Sequence, residues 1–582
     1  MYLCVPLKFN QVMRKIISII LFFTLTPVLF AQGFSALQQR KLSNALLAIS
    51  SLYVDSINDK KIVESTIENI LKDLDPHSVY IPKEEIERVN EPLEGSFEGI
   101  GIQFQIMEDT LLVVQTISGC PAEKVGVLPG DRIIYINNDL IAGVKIQSSD
   151  IFKRLRGTKG TEVRVRVRRG NKPELIEFKI IRDKIPLYSV DATYMIGKDI
   201  GYIKINNFGA NTVQEFEKAL LTLQKKGMKS LILSLQGNGG GYLNAAKELA
   251  CEFLSANKLI VYTQGLNQPK QTEMSTTNGV FEKGKLIVLV DEYSASASEI
   301  VSGALQDWDR AIIVGRLTFG KGLVQRQLQL VDGSMMRLTV ARYYTPTGRS
   351  IQKSYKGGYE KYEMEIGNRI KKGELFHADS IHFPDSLKYQ TLNLKRTVYG
   401  GGGIMPDIFV PLDTTNYTLL HRKLVALGIV LKASVQYIDK NRAELMKKYP
   451  TFEKFKKEFE VSDDFLKLLV NLAEKEKINV NSSNDSVDIS KNQLIKFAAV
   501  FNKDHEVDEK LFIKYLNARK KVMESNQFEK SKPLIKLQLK ALVARDLWEM
   551  NEYYQIMDAD NESLQKAVEI LQKPGAYENI LK

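Results

Sequence analysis

The chain has 582 residues, 44% of them apolar and 26% charged, with a formal net charge of +12 at pH 7. At roughly 150 residues per domain there is room for three or four domains, and the ordinary composition excludes wholesale disorder. No basic-aromatic groove and no zinc-ligand spacing accompanies the positive balance, so it reads as solvated lysine and a nucleic-acid partner is not expected.

Residues 1–31 read as an export signal. Lys8, Arg14 and Lys15 form a positive start, Ile16 to Phe30 an apolar core, and Ala31 a cleavage point before Gln32. The core is short for a spanning helix, which needs about 20 residues. Retention as an uncleaved anchor is the alternative, because the large Leu29 lies close to the cut. Both readings place the mature chain outside the cytoplasm, in a periplasm or cell envelope. After cleavage only Cys120 and Cys251 remain, far apart in the chain, and no disulfide framework is expected.

Residues 32–86 are expected to be a helical segment. Leu42, Leu46, Leu47 and Ile49, then Ile62, Ile67, Ile70 and Leu71, recur at helical spacing and suggest a packed helix pair. Leu74-Asp75-Pro76-His77-Ser78 is a turn that ends it, and His77 reads as structural rather than catalytic. Residues 87–185 are rich in short alternating strands. Residues 186–412 alternate apolar strands with amphipathic helices, which argues for parallel βαβ units.

Two strand ends in that region carry the chemistry. Ser230 to Leu235 is an apolar strand followed by Gln236-Gly237-Asn238-Gly239-Gly240-Gly241. A phosphate loop is excluded because GxxxxGK[ST] is absent, and Tyr242 stands where a dinucleotide loop needs its third glycine. Backbone donors for an oxyanion fit better. Lys285 to Val290 is a second strand. It runs into Ser294-Ala295-Ser296-Ala297-Ser298 and a helix through Ile300, Val301, Ala304 and Leu305. Ser296 and Glu299 have capping-box spacing. The same serine, at a strand-to-helix junction, suits a nucleophile, and the two roles are compatible because a helix start offers free N–H groups. Lys321 follows the next strand, 25 positions on, inside Thr318-Phe319-Gly320-Lys321-Gly322. A desolvated lysine can act as general base.

Residues 413–582 read as an all-helical domain of unassigned role. Leu424, Leu427, Leu431, Val435 and Ile438 have helical spacing, and Asn481 to Asp488 is a polar break.

SASASE, TFGKGLVQ, LDPHSVYIP (74–82), IGYIKINNF (200–208), YYTPTGRSIQ (343–352) and GGGIMPD (401–407) together resemble the C-terminal processing peptidases, or tail-specific proteases, from about Leu37 to Leu412. The resemblance implies an α/β protease core of the ClpP/crotonase type with an inserted PDZ domain. It implies Ser296 as nucleophile, Lys321 as base, Gln325 as the residue supporting the lysine, and the amides of Gly241 and Ala297 as oxyanion hole. It implies that Gly99, Ile100, Gly101 and Ile102 form the carboxylate-binding loop of the PDZ domain, which receives the free C-terminus of a protein or peptide substrate. Membrane association and homo-oligomerisation are further expectations, and no metal or cofactor is called for. The chain departs from the family's usual DLRxNxGG at Ser234 and Gln236, which removes any charge-based ordering of that loop but leaves the backbone donors. Two other classes compete: a catalytically inactive tail-binding scaffold, and a crotonase-type acyl-thioester enzyme on the same fold.

Overall fold

A computed structural model describes residues 34–480 and 527–582, except 108, 171 and 479. The expected export segment (1–31) and the polar break (481–488) lie outside the described residues. The centre of the molecule is a six-stranded sheet. Its order is Val190–Ile196, Ile200–Ile205, Ser230–Ser234, Lys285–Val290, Ile312–Gly315 and Ile408–Phe409. The first pair is antiparallel and the other four pairings are parallel. Parallel strands covered on both faces need apolar side chains at nearly every position, which is why Lys285–Val290 reads as an unbroken run and buries five of its six residues.

Helices Thr212–Lys225, Leu243–Cys251 and Ala297–Asp307 cover one face and share a core with alternate strand residues, among them Leu233, Val288 and Ile313. The other face is covered by the end of the chain. Leu564, Ala567, Ile570 and Tyr577 pack on Tyr202, Ile232, Ile287 and Ile312. The Tyr577 hydroxyl bonds both the N–H and the carbonyl of Leu286, at 3.1 Å each. Tyr194 donates to Asp558 at 2.7 Å and Tyr554 to Asp191 at 3.0 Å. The C-terminal region is helical, as expected. Its last helices are also the second layer of the central sheet, a role its own periodicity did not disclose.

A second sheet flanks the first. The hairpin Leu323–Gln329/Met335–Tyr344 joins Val79–Ile81 and the pair Leu259–Gln264/Gln271–Met274. The β-rich region has its own sheet and core, through Leu111, Ile133, Val165 and Ile151. It is carried on a two-stranded stalk in which Ser96–Gly99 pairs with Asp183–Pro186, so the chain leaves and rejoins the α/β core at one place. The helices from Leu419 to Lys475, together with Gln527–Leu547, form a further core. They touch the inserted module where Asp439 meets Arg132 at 3.7 Å.

One expectation fails. Helix Ala36–Leu52 does not pack as half of a helix pair: none of its residues is buried, and Leu37 and Leu52 are 73% and 81% exposed. Helix Asp59–Leu74 buries only Leu71. Periodicity shows that a helix has an apolar face but not that this chain supplies the surface to cover it.

Candidate active site

Ser296 sits where strand Lys285–Val290 gives way to helix Ala297–Asp307, with φ +55° and ψ −110°. A non-glycine residue at positive φ is strained, and such strain collects at functional sites. The capping-box pair is in place: Glu299 Oε2 accepts from the Ser296 N–H at 2.8 Å. Glu299 does more than cap. The same oxygen accepts from the Lys321 N–H at 2.9 Å, and Oε1 accepts from Thr318 Oγ1 at 2.5 Å and the Gly320 N–H at 2.7 Å. On the other side the buried Tyr343 hydroxyl bonds the carbonyl oxygens of both Ser296, at 3.1 Å, and Lys321. The backbones of serine and lysine, from different strand ends, are thus tied together twice. Burial pushes the Glu299 carboxyl up to about 7, against four donors that favour its charged form.

Lys321 and Ser296 line one cleft of about 480 Å³, with Gly241, Gln325, Tyr242 and Arg337 among its other walls. Among the described residues, no side chain accepts a hydrogen bond or forms an ion pair with the Lys321 ammonium. Burial first, and the Arg337 charge second, push its pKa below that of an ordinary lysine, while Glu299 and Asp75 pull the other way. Gln325 stands on the same cleft, but its amide donates to Thr339 Oγ1 at 3.2 Å, which in turn donates to Asp75 at 3.0 Å. Asp75 also caps the turn that carries His77 and Ser78, with bonds of 2.6 to 3.0 Å. His77 faces Tyr362, Nε2 to hydroxyl 2.7 Å. Burial, with the Lys321 charge next, holds it down at about 4, so it is neutral at pH 7.

The glycine loop is pressed against the serine. A Cβ on Gly240, at φ +101°, would lie 2.8 Å from both the Ala295 oxygen and the Ser296 Cβ. A Cβ on Gly241 would lie 2.2 Å from the Phe208 oxygen. Neither the Gly241 nor the Ala297 N–H donates to a described acceptor. Asn238, the asparagine that the usual pattern also carries, orders the loop. It is buried, its amide donates to the Ile205 oxygen at 3.0 Å, and its Oδ1 accepts from the Gly240 N–H at 2.8 Å. Its carbonyl accepts from the Ala295 N–H and the Ser298 hydroxyl, both at 2.9 Å, which joins the loop to the serine turn. Gln236 instead turns outward to accept from Asn561 at 2.9 Å.

In the inserted module, strand Ile102–Met107 is the edge of its sheet and pairs only with Thr110–Thr116. The Ile100 and Gly101 N–H groups ahead of it donate to no described acceptor. Phe104 on the strand and Phe152 on helix Ser148–Leu155 meet with ring centroids 5.0 Å apart.

Sequence reasoning assembled the serine, the lysine and the glycine loop. It missed Glu299 as a hub, although the SxxE spacing was the signal, and it missed Arg337, Thr339 and Tyr343. Their strand alternation marks a face but not what lies against it.

The model of Peptidase family S41 matches residues 199–359 and that of a PDZ domain residues 99–180, while a family of unknown function matches 420–499 and 491–549. The chain is similar to the carboxy-terminal processing protease CtpB of Bacillus subtilis, at 34% identity over 357 residues, covering 61% of this chain and 72% of that protein. It is also similar to CtpA of the same organism, at 31% over 457 residues, covering 78% and 90%. Among solved structures, the photosystem II D1 C-terminal processing protease matches at 26% identity and a TM-score of 0.31, over 54% of this chain and 90% of that one. A strained serine turn, a lysine tied to it and an inserted PDZ module thus go with sequence identity along most of the chain, which belongs to the carboxy-terminal processing proteases of peptidase family S41, serine peptidases that carry a PDZ domain.

Proposed function

We propose that the chain is an exported endopeptidase that uses a Ser296–Lys321 dyad on proteins delivered by their C-terminal tails. Ser296 Oγ attacks the scissile carbonyl carbon while the neutral Lys321 amine takes the hydroxyl proton. The oxyanion is held by the Gly241 and Ala297 N–H groups. On collapse the C–N bond breaks, the Lys321 ammonium protonates the leaving amine, and water then hydrolyses the acyl-serine with Lys321 again as base. Gln325 supports the lysine from the cleft wall. The observation that carries this reading is the lysine itself: half-buried, without an ion pair among the described residues, and tied by backbone to the serine. An inactive scaffold would have no use for such a lysine, and a thioester enzyme none for the inserted module.

The free edge of Ile102–Met107 and the open amides of the Gly99–Ile102 loop suit a tail that adds a strand and places its carboxylate on the loop. Export rests on residues 1–31. Among the described residues no helix is long and apolar enough to cross a membrane, and the proposed membrane association is carried by that leader. The exposed apolar residues of Ala36–Leu52 suit a second copy of the chain.

The deciding experiment is cleavage of a tail peptide by wild type, Ser296→Ala and Lys321→Arg. Loss in both variants supports the dyad, and turnover by either refutes it. Amidating the peptide's C-terminus should weaken PDZ binding, and equal affinity for acid and amide would reject the loop assignment. N-terminal sequencing of cell-envelope protein should start near Gln32, whereas intact Met1 on soluble cytoplasmic protein would reject export. Sedimentation should show a dimer that is lost in Leu37→Asp/Leu47→Asp, and a monomeric wild type would reject the second copy.

A further inference from the structure

Arg337 lies on strand Met335–Tyr344, between Gln327 and Val79 of its neighbours, and forms part of the catalytic cleft wall. Its guanidinium has no hydrogen bond and no ion pair with any described residue, and Nη2 is buried without a partner. Other inward-facing arginines each hold at least one partner, although the Arg349 Nε is also buried without one. Arg349 meets Asp307 at 2.7 Å, Arg316 meets Glu292 at 2.6 Å, Arg396 meets Asp407 at 2.7 Å, and Arg310 bonds the Phe253 and Phe281 carbonyls. Arg337 is half-buried, and a cationic donor such as its Nη2 is costly to bury without a partner, so an arginine left this way beside the proposed reacting groups suits a ligand. Among the described residues, Lys321 and Arg337 are the only charged ones lining this cleft, and no carboxylate lines it. When Lys321 is neutral, Arg337 is the one fixed charge there.

We propose that Arg337 is an anion subsite of the catalytic cleft that binds a substrate carboxylate, so that the enzyme prefers peptides bearing a carboxylate a few residues from the scissile bond. The planar fork of five donors matches a carboxylate, which can accept two parallel N–H bonds and neutralise the charge, whereas a backbone carbonyl leaves the charge in place. The carboxylate has two sources: an Asp or Glu side chain, or the free α-carboxylate of a short tail. The inference rests on the proposed Ser296–Lys321 site.

The test uses the full-length enzyme and one neutral peptide sequence with a known cut. In one arm the C-terminus is amidated and a single Asp is walked through the four positions on each side of the bond. In the other arm the peptide is neutral and ends, as free acid or amide, one to four residues beyond the bond. Expected is a gain in kcat/KM of about 10- to 100-fold at one Asp position or one tail length in wild type, the worth of a charge-assisted hydrogen bond. The acidic-to-neutral ratio should fall to near one in Arg337→Met and be partly kept in Arg337→Lys. A preference for the free acid that persists in Arg337→Met belongs to the PDZ domain and overturns the subsite. A wild type that cleaves all peptides equally well overturns it without any variant. A wild type that cleaves none of them, or a Ser296→Ala protein that still cleaves, refutes the dyad instead, so the two failures are distinct.

Discussion

Replacing Gly240 by alanine tests whether the glycine loop must sit where it does. The new Cβ would lie 2.8 Å from the Ala295 oxygen, 2.8 Å from the Ser296 Cβ and 3.0 Å from the Ala297 nitrogen. All three belong to the tightly bonded serine turn, so none is the loose end of a flexible side chain. A φ of +101° adds strain of about 1–3 kcal/mol for an alanine. Overpacking adds about 1–3 kcal/mol, so the sum is about 2–6 kcal/mol. The loop relieves it by moving away from Ser296 and taking the Gly241 N–H with it. Displacement of a donor by about 1 Å costs on the order of 100-fold in rate, so kcat should fall by about that factor with KM little changed. Gly237→Ala is the control. Gly237 has φ +74° in the same loop, but a Cβ there meets nothing within 4 Å, so it bears only the backbone strain of about 1–2 kcal/mol. The assay is steady-state cleavage of a tail peptide, with circular dichroism to show that both variants fold. A folded Gly240→Ala enzyme with a kcat within twofold of Gly237→Ala would refute the reasoning.

Lys321→Arg keeps the charge but cannot give up its proton near neutrality, so turnover should drop at least about 1,000-fold in a folded protein; near-wild-type cleavage would end the dyad reading. The Lys321 pKa is lowered in the fold, so between its folded and unfolded values the unfolded chain binds the extra proton. Stability should rise with pH across that window, whereas cleavage should rise through the folded value and level off above it, as read from chemical denaturation and a pH–rate profile. His77, held at about 4, should give that profile no limb near 6.5, and His77→Gln should retain most of the activity; loss of turnover in a folded His77→Gln would reopen it as the base. Ile570→Ala removes a buried side chain from the rear layer of the sheet, and a loss of about 2–5 kcal/mol is expected in chemical denaturation; an unchanged midpoint would mean that the terminal helices are not part of the core.

Much of the site was legible because its elements carry local signals. Lys285–Val290 is apolar at nearly every position because parallel strands covered on both faces have no solvent side, and the small residues of Ser294–Ser298 let the chain turn sharply at the strand end. Gly240 and Gly241 announce a close approach because only glycine tolerates backbone atoms at 2.8 Å and 2.2 Å from a Cβ position. These constraints act within a few residues, so they leave a mark on the sequence. The rest depends on which surfaces meet. Glu299 reads as a cap, and only the fold brings Thr318, Gly320 and Lys321 to its carboxylate. Gln325 is expected to support Lys321 from the cleft, and only the hairpin's register shows that its amide also donates to Thr339. The apolar face of Ala36–Leu52 and that of Glu562–Gln572 look alike as patterns. One is left exposed and the other closes the back of the protease sheet, because a periodicity states that a face must be buried and contains no information about what buries it.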